Sequence, residues 1–261
     1  MPVLATAVIA VLSLSALAGC RVGGGEMAGR ASDEWSRSYT LADGGEFQIV
    51  GSVGTIDVQG SDRATIDVTA ERIVRSATDA LAQQAVSRVR ITEDVAPDKV
   101  VLRNDGLGGI VIGVDVEVKF HVAVPRATRV RLRTAGGDIT VSNVTGTVVA
   151  STTNGAIVAT ALGGGLEARS TNGGVTADLA AVGKDPVELR STNGSVTLTL
   201  PSTADANLEA NVTNGEIDIA DLPLQVTGEQ SKRKARGRLN AGGAPIDLTT
   251  TNGNVKVRPR P

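Results

Sequence analysis

The phrase Thr-Asn-Gly recurs through the chain, at Thr153-Asn154-Gly155, Thr171-Asn172-Gly173, Thr192-Asn193-Gly194, Thr213-Asn214-Gly215 and Thr251-Asn252-Gly253. When each phrase is set on its glycine, the flanks line up as well. Seven, five and three residues before it stand Val148, Ala150 and Thr152 in one copy, Val187, Leu189 and Ser191 in another, and Ile246, Leu248 and Thr250 in the last. Two and four residues after it stand Ile157 and Ala159, Val196 and Leu198, Val255 and Val257. Copies centred on Gly54 and Gly137 keep the frame without the asparagine.

Alternation with a period of two means short strands with one buried and one wet face. Asn-Gly between two strands reads as a turn, because both residues tolerate a positive φ that a branched side chain resists. Successive glycines from Gly137 lie 18, 18, 21 and 21 residues apart, to Gly155, Gly173, Gly194 and Gly215. A two-strand unit of that size cannot bury its apolar face alone, whereas stacking in tandem on its neighbours does so. A meander of separate hairpins is the alternative, but it gives no reason for identical corners. A stack does, by setting the asparagines above one another in a hydrogen-bonded ladder. The expected fold is therefore mainly β, a single-domain β-solenoid of stacked two-strand coils with Thr-Asn-Gly corners.

The composition agrees. Hydrophobic residues make up 41% and aromatic ones only 2%, so the core is built from Val, Ile, Leu and Ala, which suits a narrow coil. A net charge of −2 gives no general attraction to nucleic acid. The uncharged apolar run from Val3 to Leu17 ends in Leu17-Ala18-Gly19-Cys20, too short for a comfortable membrane span. Its end resembles the lipobox of bacterial lipoproteins, which implies a signal peptide over residues 1–19 and lipidation at Cys20. Cys20 is also the sole cysteine, which leaves no internal disulfide. Residues 20–34 are glycine-rich and polar and read as a flexible tether, followed by the solenoid domain over 35–261. Arg21 after the cysteine, in place of the Asp that retains lipoproteins in an inner membrane, favours the outer membrane in a cell with two.

Trp35 and Tyr39 open the domain and are expected to cover the open end of the stack. Strands are expected over Phe47–Val50, Thr55–Val58, Thr65–Ala70, Val89–Thr92, Val100–Arg103 and Val114–Val124. One helix is expected near residues 76–88, capped by Ser76 or Thr78 and carrying Ala77, Leu81 and Ala85 on one stripe. The passages His121-Val-Ala-Val-Pro125, Arg131-Leu-Arg-Thr-Ala-Gly-Gly-Asp-Ile139 and Leu200-Pro201-Ser-Thr-Ala-Asp-Ala206, with the Thr-Asn-Gly phrases, resemble a bacterial family of unknown function. Its members are described as candidate adhesins with a β-solenoid fold called a toast rack. The resemblance spans roughly residues 40 to 259 and implies no catalytic residue.

Chemistry-bearing residues are sparse. His121 is the only histidine and is expected to be a half-buried structural residue, with no nucleophile elbow near it. Zinc lacks ligands, and Gly136-Gly137-Asp138 lacks the repeated acids of a calcium-binding roll. No cofactor or metal is therefore expected. The asparagines have two readings, as turn formers or as a polar row that binds a regular polymer. Between Gly215 and Gly253 a corner is missing, and Lys232, Arg233, Lys234, Arg236 and Arg238 stand there instead. They are expected to form an excursion from the stack and a candidate contact for anionic envelope polymer or lipid. The functional expectation is a non-catalytic, lipid-anchored envelope protein that acts as an adhesin or as a binding or structural module, partnered by the membrane, envelope polymer or another envelope protein. The alternatives are a polysaccharide-processing β-helix enzyme and an accessory of an envelope-stress regulatory system.

Overall fold

The structure, a computed structural model, describes residues 28–107, 113–228 and 230–260; Cys20 and the apolar run before it lie outside them. The chain opens with β1 (Gly29–Thr40), β2 (Glu46–Val50), β3 (Ile56–Ser61) and β4 (Thr65–Ser76). The helix α1 (Asp79–Val86) leads to β5 (Ile91–Ala96), β6 (Lys99–Asn104) and β7 (Val114–Pro125). The repeat then supplies β8 (Arg129–Gly136), β9 (Ile139–Ser142), β10 (Val148–Asn154), β11 (Ile157–Leu162), β12 (Leu166–Asn172), β13 (Val175–Leu179), β14 (Val187–Asn193) and β15 (Val196–Leu200). The remainder is β16 (Ala206–Asn214), β17 (Ile217–Ile219), β18 (Leu224–Val226), β19 (Lys234–Leu239), β20 (Ala244–Asn252) and β21 (Val255–Pro259).

Each coil places one strand in each of two sheets, as the period-two pattern requires. The first sheet runs β1-β4-β7-β3-β9-β11-β13-β15-β21-β17, and the second runs β18-β19-β16-β20-β14-β12-β10-β8-β2-β6-β5. Repeat coils pair in parallel and in register: Val148 opposite Leu166, Leu166 opposite Val187, and Val187 opposite Ile246. Between the sheets lies one continuous core of residues such as Val148, Ile157, Val196, Leu198, Ile246 and Val257, all fully buried. At about 25 cal/mol per Å² of apolar surface removed from water, this shared core is the main stabilising term, and no single coil could form it.

The coils are not stacked in chain order, contrary to the tandem expectation. The last coil, β20 and β21, lies between β14–β15 and β16–β17 in both sheets. At the other end, β2 and β3 lie between β6–β7 and β8–β9. The coil β6–β7, which has no Thr-Asn-Gly corner, is thus outside the coil that precedes it in sequence. Antiparallel strands finish both ends: β4 and β1 beyond β7, β5 beyond β6, and β19 with β18 beyond β16. A sheet edge exposes unpaired N–H and C=O groups. Tucking the first and last coils inward leaves those edges to short or charged strands.

Two local expectations change. Residues 29–34, assigned to the tether, form the first half of β1, pinned by the Arg72–Asp33 ion pair (2.6 Å) and by Arg30 N–H donating to Asp79 (3.0 Å). The helix is capped by Thr78, whose hydroxyl accepts from Leu81 N–H at 3.3 Å. Its buried residues, however, are Ala82, Ala85 and Val86, while Leu81 is half exposed; the stripe is offset because α1 packs against β1 and β4 at the stack's end. Tyr39 closes that end as expected. It is buried, and its hydroxyl donates to Glu93 of β5 at 2.6 Å, joining the two sheets.

Candidate functional site

The repeated corner was the first candidate. Its asparagines are the last residues of their strands, and none has a positive φ. The turn reading of asparagine therefore does not hold; the side chains bond to one another instead. Asn172 donates to Asn154 at 2.8 Å, Asn193 to Asn172 at 2.9 Å, Asn252 to Asn193 at 2.8 Å and Asn214 to Asn252 at 2.8 Å. An amide has one oxygen and one NH₂, so each interior asparagine accepts from one neighbour and donates to the other.

Beneath this exposed row runs a second, buried one that the sequence had placed only as inward positions. Thr152 donates to Gly137 carbonyl (3.0 Å), Ser170 to Gly155 (2.8 Å), Ser191 to Gly173 (2.8 Å) and Thr250 to Gly194 (2.7 Å). A buried hydroxyl needs a partner, and this one finds it on the adjacent coil. Val212 takes the position in the outermost coil. The glycines are required by proximity more than by conformation. Gly137, Gly173, Gly215 and Gly253 have positive φ, but Gly155 and Gly194 do not. A Cβ on Gly194 would lie 2.2 Å from Gly173 carbonyl oxygen, and one on Gly155 would lie 2.1 Å from that of Gly137.

The basic segment was the second candidate, and it is no excursion. Lys234–Leu239 is β19, antiparallel to β16, with Ala235 and Leu239 buried and the basic residues outward. Lys232 pairs with Glu216 at 2.9 Å, which holds its ammonium above the ordinary lysine range. Arg236 lies 3.7 Å from Glu209, and Arg238 donates to Gln225 at 2.9 Å. The carbonyls of Lys232 and Arg233 accept from Ile217 and Val212 N–H. Two of the five charges, Lys232 and Arg236, are matched locally, and β19 closes the end of the second sheet with β18.

His121 is a further correction. It is exposed on the outer face of the first sheet, with Nδ1 3.6 Å from Asp57. Asp138, the acid of the Gly-Gly-Asp phrase, accepts from Ala156 N–H at 2.7 Å and is part of the corner. Among the described residues no three His, Cys, Asp or Glu side chains gather into a metal-binding group. No helix among them is long and apolar enough to cross a membrane.

Residues missed in the sequence lie on the outer face of the second sheet. The parallel register of β6, β2 and β8 sets Arg103, Val50 and Arg133 side by side, and beside them Val101, Gln48 and Arg131. The next row holds Lys99, Glu46 and Arg129; Lys99 lies 2.9 Å from Glu46, and Arg131 lies 3.8 Å from it. The alternating exposure of these arginines is visible in sequence, but their assembly across β2 is not.

Residues 67–258 match the model of a family described as Toastrack DUF4097. Among solved structures, a candidate cell adhesion protein from Clostridium sporogenes superposes with a TM-score of 0.51 at 10% identity, over 88% of this chain and 100% of that one. A candidate adhesin from Bacteroides fragilis aligns over 87% and 97% at 10% identity with a TM-score of 0.36. One from Parabacteroides distasonis aligns over 89% and 98% at 15% identity with a TM-score of 0.31. No curated protein matches.

Proposed function

Since the chain belongs to the Toastrack DUF4097 family, whose name describes a shape and no reaction, we propose that it is a non-catalytic, lipid-anchored module of the bacterial cell envelope that offers a rigid sheet surface for binding. The observation that carries this reading is the pair of ladders. The residues the chain repeats most faithfully bond to one another along the stack. They build a stiff scaffold, and recognition is left to the outer faces of the two sheets. Fold alone does not assign an activity, so the proposal stands on these sites.

The anchoring half rests on Leu17-Ala18-Gly19-Cys20. β1 begins at Gly29 at one edge of its sheet, and residues 21–28 separate it from Cys20. An anchor there holds the stack by one end. Two acyl chains give stable attachment, at about 0.8 kcal/mol per buried methylene. Cys20→Ser is expected to move the protein from the membrane to the soluble fraction. A Ser variant that remains on membranes after a carbonate wash overturns the lipid anchor.

A further inference from the structure

We infer that Arg103 and Arg133, on either side of Val50, form a clamp for the acidic groups of a linear carboxylated polysaccharide lying along the outer face of the second sheet; this deepens the binding-module reading and rests on it. Val50 pairs with Arg103 on one side and Arg133 on the other. Adjacent strands lie about 4.8 Å apart, so the two arginines stand about 9.6 Å apart with a small neutral residue between them. Both are exposed, and among the described residues neither makes an ion pair with an acid. That sets them apart from their neighbours. Lys99 and Arg131 lean on Glu46, Arg169 bridges Glu167 and Glu188, and Arg190 pairs with Glu188 at 2.7 Å.

The surroundings favour an anion. Arg131 lies diagonally across from the clamp, with Arg129 and Lys99 beyond it, against Glu46 and, on β5, Asp94 opposite Val101. A guanidinium presents a planar fork that a carboxylate fills with two parallel hydrogen bonds, and this pairing is stronger than a point contact. A depression of about 230 Å³ lined by Glu46, Arg129, Arg131, Thr147 and Val149 lies outside the clamp, on the side of Arg131, and contains neither Arg103 nor Arg133.

The pattern continues along the stack in one line, which decides the kind of partner. The row that holds Arg103 and Arg133 carries Ser151, Arg169 and Arg190 on the following strands. The parallel row beside it changes from Arg131 to Val149, Glu167, Glu188 and Asp247. A flat anionic membrane laid on this face would meet those acids. A narrow chain along the arginine row meets an arginine on every second strand from β6 to β12, with Arg103 and Arg133 unpaired among the described residues at one end and Arg169, held by Glu167 and Glu188, where the free stretch stops.

The test uses the purified full-length chain carrying Cys20→Ser, so that no acyl group can insert in lipid, as the parent (hereafter wild type) for all variants, with labelled polygalacturonate as a carboxylated probe at low and high salt and phosphatidylglycerol vesicles as a parallel arm. The wild type is expected to bind the polymer at low salt and to release it as salt shortens the Debye length. The double variant R103Q/R133Q is expected to bind at least about tenfold more weakly, since each cation near an anionic surface is worth about fivefold. Val50→Glu places an acid inside the clamp and is expected to do the same, which keeps the test open if the double variant misfolds. K232Q/R236Q, at the far end of the stack, is expected to bind as wild type. The proposal is overturned if wild type fails to bind, if folded R103Q/R133Q or Val50→Glu binds as tightly as wild type, or if vesicles are bound in preference to the polymer. Fractionation of the chain with Cys20 intact separates the two readings: if that chain is envelope-bound and the parent ignores the polymer, the clamp alone is overturned.

Discussion

Asn252 donates from Nδ2 to Oδ1 of Asn193 at 2.8 Å, across 59 residues of chain. The next rung, Asn214 to Asn252, runs back across 38 residues. The last repeat is therefore an interior layer of the stack. Its backbone agrees: Gly194 N–H donates to Asn252 carbonyl at 2.9 Å, and Gly253 N–H to that of Asn214 at 3.0 Å. An end coil frays at little cost, whereas an inserted one is held on both sides.

Deletion of residues 244–261 therefore should not behave like trimming a terminal repeat. Ile246, Leu248, Val255 and Val257 are fully buried, and their loss leaves β14 and β16, and likewise β15 and β17, without the partner between them. Amide hydrogen exchange is expected to show lost protection throughout β14–β17. The milder Leu248→Ala is expected to cost about 2–5 kcal/mol in denaturant unfolding. Protection confined to normal values in β14–β17 after the deletion would refute the inserted order.

At Gly194 the closest approach is to backbone, 2.2 Å from a built Cβ to Gly173 oxygen. Even alanine must push two coils apart there, so Gly194→Ala is expected to lower stability by about 1–3 kcal/mol, as overpacking does. Gly183, whose nearest neighbour is 3.8 Å away, should accept alanine within about 0.5 kcal/mol. Equal melting temperatures for the two variants would count against the close stacking.

Tyr39 is the only tyrosine, so its ionisation can be followed by ultraviolet absorbance without interference from another. Burial, and then the hydrogen bond to Glu93, pushes its phenol above the ordinary value of 10.0. A raised value means that the stabilisation is present below pH 10 and lost as pH rises above it. Tyrosinate should therefore appear only as the protein unfolds in alkali. Tyr39→Phe is expected to cost about 1 kcal/mol by removing the bond between the sheets. A simple titration near 10 in the folded protein would contradict the buried phenol.

Glu46 titrates in the opposite sense. The hydrogen bond from Lys99, and then the charges of Lys99, Arg131 and Arg129, hold its carboxyl below the usual 4.5 against the opposing effect of burial. A depressed value contributes stability that is present above 4.5 and lost as pH falls through the lower folded value. Glu46→Gln is expected to flatten the acid side of the stability profile, with a cost of about 0.2–1 kcal/mol at neutral pH because the pair is partly exposed. Thermal melts across the acid range would show it, and an unchanged acid limb would rule it out.

The sequence by itself determined which residues face inward, where the corners fall and that the units must stack. Those features are local: a period of two assigns a face, and the Thr-Asn-Gly frame marks a corner wherever it occurs. Which coil lies beside which is not local. Val187, Leu208 and Ile246 carry the same pattern, so by that pattern alone each could pair with either of the others. Only the tertiary structure, with the linkers and antiparallel end strands, set Ile246 between them. The same holds for charge. Lys232 and Arg236 stand within two residues of other cations in sequence, yet the fold supplies Glu216 and Glu209 to match them. Arg103 and Arg133 are 30 residues apart, and the parallel register brings them to either side of Val50. Strand pairing joins residues across space at about 4.8 Å per strand whatever their distance along the chain, and that is why the surface could be read only after the stack was known.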